Sequence, residues 1–187
     1  MMKQPIDLFS LNSYWKVLQY FCLHPSSEMY VNEVASRLGL SAGMCSRVLR
    51  DLKEIGMVEK EELGKAHYYH LVDNYITRTL KRYVGLVLIE KSGAAKSIVR
   101  TMPNTNSIVL YGSFVKGDFN EDSDIDLLII SNNKLNFNLD SEEAFLNHEL
   151  SIQPLTIGKW MKLKKNKDPF YHEVIRNHII LYGAELP

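Results

Sequence analysis

No charge of either sign is in excess: Lys and Arg total 22, Asp and Glu total 22, and the formal net charge is zero over 187 residues. The balance holds separately up to Leu80 and beyond it. A histone-like or polybasic chain, whose partner would follow from bulk charge, is thereby excluded, and any nucleic-acid site has to be a local patch. Hydrophobic runs are short. The longest, Tyr83–Ile89, is interrupted by Gly85 and is far below the ~20 residues that span a bilayer. Cysteine is scarce as well. Cys22 and Cys45 share no metal or disulfide spacing, and Cys22 sits in an apolar run, which predicts a reduced, buried thiol. No secretory leader is expected, because Met1-Met2-Lys3-Gln4-Pro5-Ile6-Asp7 reaches an acid before any long apolar run. There are no repeats and no low-complexity segment. These features predict a cytoplasmic protein with no membrane partner.

The chain has 45% hydrophobic and 24% charged residues, an ordinary globular composition. Its length leaves room for one large domain or two small ones at the usual ~100–150 residues each. From Leu11 to Leu23 the apolar residues Leu11, Trp15, Val17, Leu18, Phe21 and Cys22 recur at three- and four-residue steps, an amphipathic helix that His24-Pro25 stops. Val31, Val34, Ala35 and Leu38 give a second helical face, closed by Gly39 where a left-handed residue is needed. Ser41 then serves as an N-cap, and Met44, Val48, Leu49, Leu52 and Ile55 carry the stripe of a third helix that ends at Gly56. A short turn between the last two helices makes a helix-turn-helix. Met57–Glu62 and Ala66–Val72 flank Leu63-Gly64-Lys65 and read as a β-hairpin, the place of a wing.

Over Leu11–Val72 this order resembles the winged helices of bacterial and archaeal transcription factors. The resemblance implies that the third helix enters the major groove of DNA and that the wing touches the backbone or minor groove. Ser41, Ser46, Arg47 and Arg50 on that helix, with Lys65 at the wing tip, are the expected DNA contacts. The plain alternative is a solvated helix face, since Asp51 and Glu54 interleave with the arginines and Glu59, Glu61 and Glu62 make the wing acidic. A linker helix is expected over Asn74–Lys91, with Ile76, Leu80, Val84, Val87 and Leu88 at helical spacing and Ser92-Gly93 at its end. Its apolar surface runs nearly all round from Tyr83 to Ile89, which requires burial, either between the two halves or at a homodimer seam.

Chemistry is concentrated in the second half. Ser107–Tyr111 is an apolar strand ended by Gly112-Ser113, and Asp124–Ile130 is a second strand. Alternate residues of a strand share a face, so Asp124 and Asp126 point the same way while Ile125 and Leu127 point into the core. Two adjacent carboxylates repel unless a cation lies between them, and hard oxygen ligands at that separation suit Mg²⁺ with substrate phosphates. Gly112 lets backbone approach a phosphate, and the Ser113 hydroxyl and the amides after it can donate to one. His148–Leu155 is a later strand in which Glu149 faces with Ser151 and Gln153.

The run Gly112-Ser113-Phe114-Val115-Lys116-Gly117, followed by Ser123-Asp124-Ile125-Asp126, resembles the signature of minimal nucleotidyltransferases of the DNA polymerase beta superfamily. Lys116 stands where that family has Arg, and Val115 where it has a small residue. That resemblance spans about Ser107–Gly183, and together with the winged helix and the linker helix above it gives an α+β chain of three parts. A winged helix-turn-helix domain covers 1–73, a linker or dimerisation helix 74–93, and a small mixed-sheet nucleotidyltransferase domain 94–187. It implies Asp124, Asp126 and Glu149 as catalytic and metal residues, with Glu149 the third ligand or the general base; the bland alternative for Glu149 is a surface strand residue. Gly112, Ser113, Lys116 and Ser123 become the nucleotide-binding residues, Mg²⁺ the cofactor and a nucleoside triphosphate, ATP foremost, the substrate. It further implies transfer of AMP to a protein hydroxyl, a small helical partner protein, a homodimer, and a transcriptional or toxin–antitoxin-type regulator. The competing function is a DNA-binding regulator whose second half only senses nucleotide or scaffolds a dimer. Other features weigh less. Lys159, Lys162, Lys164, Lys165 and Lys167 form a basic run that could meet nucleic acid or phosphate but reads more simply as a solvated helix face. Trp15 and Trp160 read as core or interface anchors, and no His pair has zinc spacing.

Overall fold

The computed structural model describes residues 12–63, 66–133 and 137–187. The expectations for Leu11, the segment Met1–Asp7, Gly64 and Lys65 fall outside these described residues. The chain divides into two compact units, Met1–Val84 and Gly85–Pro187.

In the first unit α1 (Ser13–Leu23), α2 (Val31–Leu38) and α3 (Ala42–Glu54) follow one another, with the two-residue strand β1 (Met29–Tyr30) between the first two helices. Asn12 caps α1 by accepting from the Tyr14 amide at 2.9 Å. Gly39, at φ 64°, ends α2, and the Ser41 hydroxyl accepts from the Met44 amide at 3.2 Å to begin α3. Such a hydroxyl cap stabilises a helix by about 1 kcal/mol. Strands β2 (Val58–Leu63) and β3 (Ala66–Leu71) form the hairpin, and β1 adds to the far side of β3, giving a three-stranded antiparallel sheet in the order β1-β3-β2. The sequence carries no signal for this third strand, because two residues are too few for any alternation to register.

Val17, Phe21, Cys22, Val34, Cys45, Val48 and Leu49 are fully buried in the core between these elements. Burying each larger apolar side chain contributes about 1.5–3 kcal/mol. The inner stripe of α3 is Cys45, Val48, Leu49 and Leu52. This corrects the expected one at both ends: Met44 and Ile55 are exposed, because 3.6-residue periodicity brings Cys45 rather than Met44 under the helix. Burial pushes the Cys22 thiol up to about 12 and raises that of Cys45 as well. Since the thiolate is the reactive form, a maleimide in mildly alkaline buffer is expected to label neither cysteine in the native protein and both after unfolding. Mass spectrometry of the labelled native chain checks this, and modification at Cys22 would contradict it.

Helix α4 (Tyr75–Ser92) begins on Asn74, whose Oδ1 accepts from the amides of Ile76 and Thr77 at 2.9 and 3.0 Å. It supplies Val84 to the first core and Ile89 to the second, and the division between units falls within it. No described helix is long and apolar enough to cross a membrane. Gly85 answers to space: a methyl group there would lie 2.9 Å from the Phe114 ring.

The second unit continues with α5 (Ala94–Thr101), β4 (Ser107–Tyr111), the single turn α6 (Ser113–Lys116), β5 (Ile125–Ile130) and α7 (Asp140–Leu146). It ends with β6 (Leu150–Leu155), α8 (Ile157–Lys165), α9 (Pro169–Arg176) and β7 (Ile179–Gly183). Its sheet has the order β6-β5-β4-β7, with β4 antiparallel to β5 and β7, and β6 parallel to β5. Ile108, Leu110, Ile125, Leu127 and Ile129 pack on one face with Ile98 of α5, Phe114, Phe119 and Leu146 of α7. Val109, Tyr111, Leu128 and Ile130 pack on the other with Trp160 of α8 and Val174 of α9. Of the lysines in Lys159–Lys167 all five are exposed, while Trp160 is fully buried. Pro154 of the edge strand β6 stands beside Ile129.

Candidate functional site

Asp126 pairs in register with Tyr111 of β4 on one side and with Ser151 of β6 on the other. Alternation therefore sets Asp126 on the sheet face that carries Leu128 and Ile130, the face covered by α8 and α9. Asp124 precedes β5 by one residue and shares that face. Ile125 and Leu127 are fully buried on the opposite side, as the alternation requires. Extending the parallel register back by one residue brings Glu149 beside Asp124. The Ile125 amide donates to the Glu149 carbonyl at 2.9 Å, and both acids line one cavity of about 490 Å³ with Glu121, Asp122 and Glu143. Among the described residues no three His, Cys, Asp or Glu side chains are gathered closely enough to hold a metal ion by themselves.

Between β4 and α6 the backbone of Gly112 takes φ 75° and ψ −149°, a region open only to glycine. A Cβ at Gly112 would fall on the carboxylate of Asp126. The glycine is thus required both by the turn and by the acid packed against it. Ser113 opens α6, whose first amides have no partner within so short a helix. Phe114 and Val115 point into the core, where Phe114 stacks on Phe119 with ring centres 4.1 Å apart. Lys116 is exposed and reaches Glu173 of α9, Nζ to Oε1 3.9 Å.

Burial is the main reason that the Asp126 carboxyl titrates above the usual carboxylate range, with the Asp124 charge next. Glu173 adds to this, while a hydrogen bond from Ser151 and the Lys116 charge act against it. Tyr111, beneath the same spot, is pushed up to about 12 by burial and by the charges of Asp126 and Glu173. Asp124 and Glu173 thus add like charge beside a carboxylate that is already partly buried, an arrangement that fits a bound cation.

The structure brings Gly112, Ser113, Lys116, Asp124 and Asp126 to one end of the sheet. Glu149 joins Asp124 rather than Asp126. The Ser123 hydroxyl is engaged within its own loop, accepting from the Asn120 amide at 2.9 Å and donating to Asn120 Oδ1 at 3.0 Å. Three residues that the sequence pattern does not single out belong to the surroundings. His148 Nδ1 lies 2.7 Å from the Ser123 carbonyl and so donates to it, tying the loop before Asp124 to the start of β6. Ser151 hydrogen-bonds Asp126. Glu173 arrives from α9, held in place by the Asp168 cap on the Phe170 amide at 2.9 Å and by Pro169 at the first helical position.

In the first unit Ser41, Ser46, Arg47 and Arg50 are all exposed on α3. Arg50 is partly engaged by Asp51, at 3.4 Å, and Asp51 also accepts from the Tyr14 hydroxyl. No ion pair holds Arg47 among the described residues. The wing carries Glu61 bonded to the Tyr68 hydroxyl at 2.7 Å, with His67 and His70 beside Glu62 and Glu59.

Residues 94–185 match the family described as polymerase beta nucleotidyltransferase, and residues 16–74 match that of the sugar-specific transcriptional regulator TrmB. A curated relative, a putative protein adenylyltransferase of Methanocaldococcus jannaschii, is 29% identical over 76 residues, which are 40% of this chain and 76% of that protein. Among solved structures, reduced HlyU from Vibrio cholerae is 23% identical with a TM-score of 0.35, over 44% of this chain and 83% of that one. The homodimeric winged helix-turn-helix DNA-binding domain of a possible ArsR-family regulator from Mycobacterium bovis is 23% identical with a TM-score of 0.34, over 46% and 89%. Residues 16–74 are thus a winged helix-turn-helix regulator domain, fused to a nucleotidyltransferase-family domain over residues 94–185.

Proposed function

We propose that the second unit binds a magnesium–nucleoside triphosphate, ATP foremost, and transfers its nucleoside monophosphate to a protein hydroxyl, and that the winged helix docks this activity on DNA. The observation that carries the reading is the pair Asp124 and Asp126 on one face, with Asp126 filling the space that Gly112 leaves open. Two protein carboxylates, rather than a complete cage, suit Mg²⁺, which keeps waters and takes phosphate oxygens as further ligands. Asp124 and Asp126 would hold it, and bound there it supplies charge neutralisation at the α-phosphate and the leaving pyrophosphate. The Ser113 hydroxyl, the first amides of α6 and Lys116 hold the β- and γ-phosphates. The acceptor oxygen forms a bond to the α-phosphorus, the bond from that phosphorus to the β-phosphate breaks, and pyrophosphate leaves. Glu149, beside Asp124 on the open cavity, takes the hydroxyl proton. The name of the Methanocaldococcus jannaschii relative favours AMP as the group and a protein as the acceptor. A small helical partner protein, a toxin–antitoxin setting and a cytoplasmic location go with this reading.

Radiolabel from the α-phosphate of ATP, supplied with Mg²⁺ and host lysate, tests the reading against Asp124→Ala/Asp126→Ala. Label on a protein only with the intact acids supports it. If none of the four triphosphates labels an acceptor while ATP still binds, the second unit is a nucleotide sensor and the winged helix is the working end.

DNA docking has its own expectation. Among the described residues no acid pairs with Arg47 on exposed α3, whereas Arg50 shares its charge with Asp51. Arg47→Ala is expected to weaken DNA binding more than Arg50→Ala, and to lower the slope of log affinity against log salt by about 1. Mobility shifts across a salt series, on DNA selected from the host genome, measure this. Equal, negligible effects of both would leave the winged helix as a protein-docking module. A homodimer presenting two copies of α3 to paired half-sites belongs to the same reading.

A further inference from the structure

Lys116 is the cation on the turn that follows Gly112, and it already faces a carboxylate. Its Nζ lies 3.9 Å from Oε1 of Glu173, with the two side chains 42% and 53% exposed. Glu173 is placed there by the fold. Its neighbour Val174 is fully buried among Val109, Leu128 and Ile130, which seats α9 on the very face that carries Asp126. The charges of Glu173 and Lys116 both reach Asp126, in opposite senses, and that of Glu173 reaches Tyr111. The Lys116 ammonium thus acts on a face that carries Asp124, Asp126 and Glu173. A triphosphate entering this face carries denser charge than a carboxylate, and at 3.9 Å the existing pair is long and open to water, so the ammonium can leave Glu173 for the triphosphate at a cost of about fivefold in affinity.

We propose that Glu173 is a positioning residue for Lys116: it holds the ammonium beside the site in the nucleotide-free protein and yields it to the triphosphate, so that nucleotide affinity is set by this exchange. The inference rests on the nucleotide-binding reading above. Glu173→Gln keeps the side-chain length and removes the competing charge. In the full chain, ATP titrated calorimetrically with excess Mg²⁺ should bind Glu173→Gln about fivefold more tightly than the unaltered protein. The KM for ATP should fall without a rise in kcat, because Glu173 touches no reacting atom. In a Lys116→Ala background the same substitution should change affinity by less than about twofold, since there is no ammonium left to release.

An equal gain in both backgrounds would mean that Glu173 acts by direct repulsion of phosphate, and would overturn the proposal. An unchanged or weakened affinity of Glu173→Gln in the Lys116 background overturns it too. Thermal unfolding of each variant separates these outcomes from misfolding, and Glu173→Asp, which keeps the charge on a shorter arm, should bind between the two. ATP binding by the unaltered protein with no response to Glu173→Gln sinks the exchange alone. Failure of every folded variant to bind any triphosphate sinks the nucleotide reading with it.

Discussion

Asp126→Asn is expected to lose nucleotide transfer by about three orders of magnitude, ~4 kcal/mol of barrier, and at the same time to resist unfolding better at neutral pH. The loss follows because an amide cannot replace a carboxylate as a ligand to a hard cation. The gain follows from the direction of the titration. Burial and the Asp124 charge raise the Asp126 carboxyl in the folded protein above its ordinary range. A group raised in this way contributes stability that is fully present below its unfolded value and is lost as pH rises through the folded one. At neutral pH the unaltered protein therefore bears the whole cost of a crowded charge, and Asn bears none. Relief of that burial cost and of the contact with Asp124 is worth about 1 kcal/mol at a half-buried position where water still screens the charge. Denaturant unfolding in metal-free buffer should show Asp126→Asn the more stable at neutral pH, with the gap closing as pH falls into the ordinary carboxylate range. With Mg²⁺ and ATP present the order should reverse, since only the unaltered protein gains from binding. A variant less stable than its parent at neutral pH without metal would contradict the account.

Gly112→Ala should strike the fold and the candidate site together. The residue sits at φ 75° and ψ −149°, and the added Cβ would occupy the place of the Asp126 carboxylate. Strain of this kind costs about 1–3 kcal/mol for the dihedrals, and displacing the acid adds to it. A domain of this size should then melt roughly 10 °C lower, and nucleotide binding should be lost with Asp126 out of place. Gly43→Ala is the matched control. Gly43 lies on exposed α3 with open space around the added methyl, so alanine there should raise stability by up to about 1 kcal/mol. If both substitutions behaved alike in differential scanning calorimetry, the close approach of Gly112 and Asp126 would not be what fixes this turn.

How far the sequence can be read depends on how local each signal is. Helices α1 to α3 are legible because their apolar spacing and their Ser41 and Gly39 caps lie within a few residues of one another. Asp124 and Asp126 are legible because a strand fixes the face of alternate residues regardless of what surrounds it. Strand β1 is not, being two residues that pair only once β3 is in place. Helix α5 is short and follows directly on α4, and α7 is short and lies between two more strongly patterned strands, so neither stands out. Glu173 has no signal of its own. A glutamate on a short amphipathic helix reads as surface, and only the packing of Val174 beneath it turns it towards Lys116. Ser123 shows the opposite case: a residue inside a recognisable motif whose hydroxyl is used by its own loop.

The edge strand β6 has a consequence for how copies of the molecule can meet. The Ile125 amide bonds the Glu149 carbonyl and the Ser131 amide bonds the Leu155 carbonyl, so the odd-numbered groups of β6 face β5. By alternation the backbone groups of 150, 152 and 154 face outward. Position 154 is proline, which has no N–H to offer there. A strand arriving from a second molecule would find a gap in the ladder towards the end of β6 away from the acidic cavity. Continuous strand pairing along that edge is interrupted by one imino acid, which leaves the outward backbone groups of 150 and 152 for any contact between copies.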